Sequence, residues 1–178
     1  MSIRPAAVLL TLTAALALAA PAAQADTSNP TPPTDPFAIT NLDSGKCLEV
    51  ADWRTDDGAP VRQWTCTGGA NQKWFRAAGG LLVNVNSGTC LDIPGYSTEP
   101  GTQPVVWRCN GGTNQQWSEQ LMHSGTRRYA NVNSALVLDV AFGSKADGAP
   151  VIQWNPIDVP VAYNQIWIPS NFTPGPTA

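Results

Sequence analysis

Histidine occurs once in the 178 residues, at His123, and charged side chains make up only 13% of the chain. That is about half the ~25% usual in soluble globular proteins. One imidazole cannot supply a zinc ligand set and leaves no Ser-His-Asp arrangement to choose. The formal charge of −3 and an isoelectric point near 4.9 remove the basic footprint of a phosphate binder, so no nucleic-acid partner is expected. No stretch carries an apolar stripe at helical spacing over three turns, which excludes coiled coils and helical bundles. The carboxylates are too evenly spread to single out an acid/base pair. Low charge with 43% hydrophobic residues also excludes disorder, because such a chain can bury a core.

What is present is glycine (15), proline (16) and tryptophan (7). Residues 1–25 have the pattern of a secretory signal peptide. Arg4 is followed by an Ala/Leu/Val run from Ala6 to Ala20, then Pro21 and the small-residue site Ala23-Gln24-Ala25. The run falls short of the ~18 apolar residues of a membrane span, so no membrane insertion is expected. Residues 26–36 read as a Pro-rich flexible leader and residues 171–178 as a flexible tail. In an exported chain an even number of cysteines reads as disulfides. Eighteen residues stand between Cys47 and Cys66 and again between Cys90 and Cys109, and this equality favours the two local pairs.

Between the tails the chain repeats itself three times. Cys47-Leu48-Glu49-Val50 returns as Cys90-Leu91-Asp92-Ile93 and Val137-Leu138-Asp139-Val140. Asn71-Gln72-Lys73-Trp74 returns as Asn114-Gln115-Gln116-Trp117 and Asn164-Gln165-Ile166-Trp167, and Trp64 returns as Trp107 and Trp154. Six of the seven tryptophans fall at these equivalent positions. Insertions in the third copy lie near His123–Arg127 and Asp158–Val161, and His123 reads as exposed in the first of them. Short β-branched stretches such as Leu82-Val83-Asn84-Val85, broken by Gly, Asn and Pro, predict about four strands per copy. A propeller needs at least ~4 blades. Three copies suit one closed threefold barrel with repeats at 37–79, 80–121 and 122–170.

These segments, with the W-x-C and N-Q-x-W motifs, resemble the ricin B-chain-type lectins and the related family 13 carbohydrate-binding modules, over about residues 37–169. The resemblance implies an all-β fold, a β-trefoil of three pseudo-symmetric repeats of about 43 residues, with up to three shallow sugar pockets. It implies disulfides within repeats, Cys47–Cys66 and Cys90–Cys109; the third copy has lost both partners together, at Val137 and Pro156. It also implies a secreted, non-catalytic protein that binds galactose- or xylan-type glycans, with no cofactor. We expect a monomer.

A sugar offers C–H groups on one face and hydroxyls around its rim. It therefore calls for an aromatic plate, an anionic acceptor and an amide. By the resemblance the acceptors are Glu49, Asp92 and Asp139, the plates Trp64, Trp107 and Trp154, and the amides Asn71, Asn114 and Asn164. Gln72, Gln115 and Gln165 then mainly brace the pocket, and Trp74, Trp117 and Trp167 face the core. In the family a glutamine stands two places before the plate. Here Arg62, Val105 and Ile152 hold those places, while Gln63 and Gln153 stand one place before. Either these glutamines point inward or a bulge moves them into the pocket. The second copy is the best preserved. In the first, Glu49 is one methylene longer, and Arg62 and Trp53 stand ready to fill the pocket or extend it. The competing reading is a protein-binding trefoil, a protease inhibitor or an adhesin, with degenerate sugar sites.

Overall fold

The computed structural model describes residues 35–122 and 126–171. The signal peptide, the leader as far as residue 34, His123 and the tail from residue 172 lie outside them. Twelve strands follow in sets of four: β1 Phe37–Asn41, β2 Cys47–Val50, β3 Ala59–Trp64 and β4 Lys73–Ala77; β5 Leu81–Asn84, β6 Cys90–Asp92, β7 Val105–Trp107 and β8 Trp117–Leu121; β9 Arg127–Asn131, β10 Val137–Val140, β11 Val151–Trp154 and β12 Trp167–Pro169. The first and fourth strands of the sets close a ring. β1 pairs with β4 and β12, β4 with β5, and β9 with β8 and β12, while a bridge between Leu81 and Gln116 completes the circle. The second and third strands form antiparallel hairpins that cap one end. This is the β-trefoil, and the expected four strands per repeat are all present.

No repeat has a core of its own. Leu48, Leu91 and Leu138, one from each hairpin, are fully buried and meet Trp74, Trp117 and Trp167 in one central cluster. Each indole Nε1 donates to the carbonyl of a leucine, Leu48, Leu91 or Leu138, at 3.0–3.1 Å. The tryptophans thus fill the core and leave no buried indole donor unpaired. The buried Asn41, Asn84 and Asn131 explain the recurrent segment that ends the first strand of each set. Their side-chain oxygens accept the backbone N–H groups two and three residues on, and each Nδ2 donates to the carbonyl of Asn164, Asn71 or Asn114 respectively. One residue type therefore makes the turn and ties each repeat to the one before it.

The two disulfides join Cys47 to Cys66 and Cys90 to Cys109. Loops of this size are worth about 3 kcal/mol in the chain-entropy model. The question left open by the glutamine before the plate has a definite answer. Register is regular, with Leu48 opposite Gln63 and Leu138 opposite Gln153, so no bulge intervenes. Gln63 and Gln153 point inward and are fully buried. Gln63 donates to the carbonyls of Ser144 and Ala146 and accepts from the Ser44 hydroxyl. Gln153 does the same with Ser97, Glu99 and Ser134. Both lace one hairpin to the turn of another repeat. The second repeat has Val106 at this place, and there the Ser87 hydroxyl pairs with Thr89 instead.

That exchange generates a test. Gln153→Val leaves Ser134 and two turn carbonyls without their partner, and thermal or urea unfolding should show a loss of ~1–3 kcal/mol. Adding Leu136→Thr restores the hydroxyl pair of the second repeat, and the double variant should recover part of the loss.

Candidate functional site

Strand alternation places Glu49, Asp92 and Asp139 on the face away from the leucine core. They are nonetheless only 4–5% exposed. Each lies over the short turn that carries the Asn-Gln pair of its repeat. Gln72, Gln115 and Gln165 donate to Glu49 Oε2, Asp92 Oδ2 and Asp139 Oδ2 at 2.8–2.9 Å. The same Nε2 atoms also donate to the carbonyls of Thr65, Arg108 and Asn155, and each Oε1 accepts a backbone N–H, from Thr67, Asn110 or Ile157. These glutamines are buried and engaged on both ends, so they hold the carboxylate rather than reach a ligand.

The asparagines stand differently. Asn114 Nδ2 is occupied by Asp92 Oδ2 and the Ile93 carbonyl, and Asn164 Nδ2 by Asp139 Oδ1 and the Val140 carbonyl. Among the described residues Asn71 Nδ2 donates to the Val50 carbonyl alone. In the second and third repeats what remains to offer is therefore an oxygen, not an amide that both donates and accepts. Asn71 Oδ1 and Asn114 Oδ1 are buried and unpartnered. Carboxylate and amide oxygens together make a set of acceptors, suited to a ligand rich in hydroxyl donors.

Trp64, Trp107 and Trp154 lie where neighbouring repeats meet. Their six-membered rings rest against Gly148, Gly58 and Gly101, the turn glycines of another repeat, whose φ values of +80 to +91° favour glycine in any case. Trp107 and Trp154 remain 40% and 39% exposed.

The three sites are unequal. In the first, Arg62 Nε and Nη2 donate to Glu49 Oε1 at 3.1 and 3.0 Å, and Nη2 also reaches Asp52. The guanidinium sits 4.4 Å from the Trp64 ring centre. Arginine thus takes both the free carboxylate oxygen and the aromatic plate. The second site has Val105 and the third Ile152 at this place, and among the described residues no cation pairs with their carboxylates.

A further aromatic group was missed by sequence reasoning at Tyr96 and Phe142, and Trp53 was noted only as a neighbour of the pocket. Each repeat has two successive left-handed residues after its second strand: Asp52-Trp53, Gly95-Tyr96 and Phe142-Gly143, with φ between 55 and 63°. Trp53 and Tyr96 then fold against Gly69 and Gly112. A Cβ at Gly69 would meet the Trp53 ring at 2.8 Å, and one at Gly112 the Tyr96 hydroxyl at 2.3 Å, with Asn71 Oδ1 or Asn114 Oδ1 beside it. The third repeat has Gly143 and Ala162 at these two places, so the wall is missing and Asn164 is only half buried. There a cavity of ≈ 580 Å³ opens, with Asp139 and Asn164 at its polar end and Trp154, Ile152, Ile157 and Phe142 around it. That is within the ~300–1,000 Å³ of small-molecule sites. The sequence ranks the second repeat first by preservation; the cavity lies at the third.

Burial pushes the Asp92 and Asp139 carboxyls above the usual aspartate range, and the hydrogen bonds from Gln115 and Asn114, or Gln165 and Asn164, pull only partly the other way. A carboxylate whose folded pKa is raised costs stability when ionised, and that cost disappears as pH falls below its unfolded value. Asp92→Asn accepts the same two bonds through its oxygen and carries no charge. Its melting temperature at neutral pH should therefore equal or exceed that of the wild type, with the advantage vanishing below about pH 3.8 in a calorimetric pH series.

Residues 35–167 match the sequence profile of the ricin-type β-trefoil lectin domain. Serine protease 1 of Rarobacter faecitabidus is 45% identical over 38 residues, a stretch that covers 21% of this chain and 7% of that protein. Among solved structures, the designed threefold-symmetric protein ThreeFoil superposes with a TM-score of 0.72 at 33% identity, covering 77% of this chain and 99% of its own. An exo-β-1,3-galactanase from Clostridium thermocellum gives 0.71 at 32%, covering 78% of this chain but 30% of the enzyme. The ricin B-like lectin of Macrolepiota procera, solved with lactose, shares the fold at 20% identity with a TM-score of 0.65 and coverage of 79% and 97%. With its profile match spanning the threefold barrel and the carboxylate–glutamine–tryptophan framework described above, the chain belongs to the ricin-type β-trefoil lectin domain family.

Proposed function

We propose that this is a secreted, non-catalytic glycan-binding protein with open sites in its second and third repeats and a first site closed by Arg62. The observation that carries the reading is the cavity of the third repeat, in which an anionic acceptor, a free amide oxygen and a half-exposed indole surround one space. A pyranose would set two adjacent hydroxyls on the Asp139 carboxylate and the Asn164 oxygen, and lay its C–H face on Trp154. Asp92 and Trp107 stand at the equivalent places in the second repeat, where the Asn114 oxygen lies buried behind Tyr96. The matched part of the exo-β-1,3-galactanase, at 32% identity, supports galactose-type ligands over xylan. The signal-like N-terminus and the two disulfides support secretion.

A single shallow site should bind on the order of millimolar, and two engaging one polymer gain a factor of ~10² or more. The protein should be retained on immobilised galactan and released by free galactose. Asp139→Asn and Asp92→Asn each turn an acceptor into a donor, and each should weaken its own site by ~10- to 100-fold in calorimetry. Pull-down of a secreted protein that sugar fails to compete, without retention on any glycan, would favour the protein-binding reading.

Two further outcomes follow from the geometry. Glu49→Asp with Arg62→Val rebuilds the second repeat's acceptor in the first, and titration should gain a third sugar per chain. Sugar binding needs the ionised carboxylate, so affinity should fall on acidification at a pH above that of an ordinary aspartate, as the raised Asp92 and Asp139 carboxyls take up protons.

A further inference from the structure

We infer that the third site is built for a glycoside that carries an apolar aglycone, the sugar held by the polar end of the cavity and the aglycone by an extension that the other repeats lack. This rests on the glycan-binding reading above and assigns the ligand class of one of its sites.

The extension results from several replacements at equivalent positions. Where the first two repeats have Arg62 and Val105, the third has Ile152; where they have Thr67 and Asn110, it has Ile157. Where Trp53 and Tyr96 wall the pocket against a glycine, it has Gly143 and Ala162, so the space beyond the asparagine is open. Its aromatic has moved one residue back, to Phe142. That side chain is fully exposed, and its backbone has a φ of 58°.

Ile157 is held in place, not merely exposed on an insertion. Its N–H donates to Gln165 Oε1 at 2.9 Å, the same glutamine that fixes Asp139. Its carbonyl accepts from Arg128 Nη2 at 2.7 Å, and that arginine, 3% exposed, also pairs with Asp158 at 2.6 Å. The buried arginine thus anchors the inserted loop from beneath. One framework positions both the sugar's acceptor and the apolar wall.

The occupant follows from the lining. Beyond Asp139 and Asn164 the described residues lining the cavity offer two polar side-chain groups, the Trp154 indole N–H and Gln103, whose Nε2 donates to the Val61 carbonyl; the rest is apolar. A second sugar would set most of its hydroxyls against Ile152, Ile157 and Phe142 without partners, which is costly, whereas an aryl or alkyl group loses nothing there.

The test uses the mature protein carrying Asp92→Asn, so that only the third site reports. Phenyl β-galactoside, methyl β-galactoside and a β-1,3-linked galactobioside are titrated by calorimetry, with the corresponding xylosides alongside. The phenyl glycoside should bind roughly tenfold more tightly than the methyl glycoside. Ile157→Thr and, separately, Phe142→Gly should bring that ratio down towards one. Phe142→Gly places at this turn the residue the second repeat already has, so a folded variant is expected even if Ile157→Thr destabilises the loop. Equal affinity for phenyl and methyl glycosides overturns the inference while leaving the glycan-binding reading intact, and so does a preference for the disaccharide over the phenyl glycoside. Failure of every glycoside to bind, in wild type and variant alike, overturns the reading on which it rests.

Discussion

The bond from the glutamine of each Asn-Gln-x-Trp segment to the carboxylate of the second strand is the interaction on which the rest depends. Gln165 shows its reach: Nε2 joins Asp139 to the Asn155 carbonyl, while Oε1 takes the Ile157 N–H. One buried amide thus connects a hairpin strand, the end of its partner and the loop after it. Two residues on, Trp167 donates to the Leu138 carbonyl, immediately before Asp139. Core and pocket are therefore fixed by the same four-residue stretch, Asn164-Gln165-Ile166-Trp167, and neither can shift alone. A satisfied buried amide also explains why the motif recurs three times when each pocket has diverged around it.

Divergence among the repeats proceeds by matched exchanges. Trp53 with Gly69 and Tyr96 with Gly112 become Gly143 with Ala162, because a ring and a Cβ cannot occupy one place. Gln63 with Ser44 and Gln153 with Ser134 are answered in the second repeat by Val106 and a Ser87–Thr89 pair. Both cysteines of the third repeat are gone, and Val137 now faces Trp154 in the register that Cys47 keeps with Trp64. The glutamine exchange keeps its polar groups paired, whereas the exchange of a ring for Gly143 leaves its volume unfilled and opens the cavity of the third repeat.

Much of this could be read from the chain. Three registered copies of a Cys/Val-Leu-Asp/Glu segment and of Asn-Gln-x-Trp gave the barrel, the core tryptophans and the disulfide partners, since these depend on spacing. The roles of Arg62, Tyr96 and Phe142 could not be read in the same way. Whether Arg62 fills or extends its pocket turns on where a flexible side chain ends, and the structure puts it on Glu49 and Trp64. Tyr96 and Phe142 sit at neighbouring, non-equivalent positions of one turn, so aligning the repeats hides them. Strand alternation correctly turned Asp92 and Asp139 from the leucine core, but it could not show that a turn covers them from the other side.

That covering creates a conflict which the repeats resolve in opposite ways. A carboxylate taken from water gains from a nearby cation, and in the first repeat Arg62 supplies one to Glu49 at 3.0 Å. The same guanidinium occupies the oxygen and the indole that a sugar would need. In the second and third repeats no cation among the described residues pairs with Asp92 or Asp139; two neutral amides share the charge, and burial raises both carboxyls. Hydroxyl groups are weaker partners than arginine, so they can hold such a carboxylate only where no arginine competes. An accessible acceptor in this fold must therefore be an incompletely compensated one. The residue two places before the plate therefore sets the carboxylate's partner: Arg62 pairs with Glu49, whereas Val105 and Ile152 leave Asp92 and Asp139 to neutral amides.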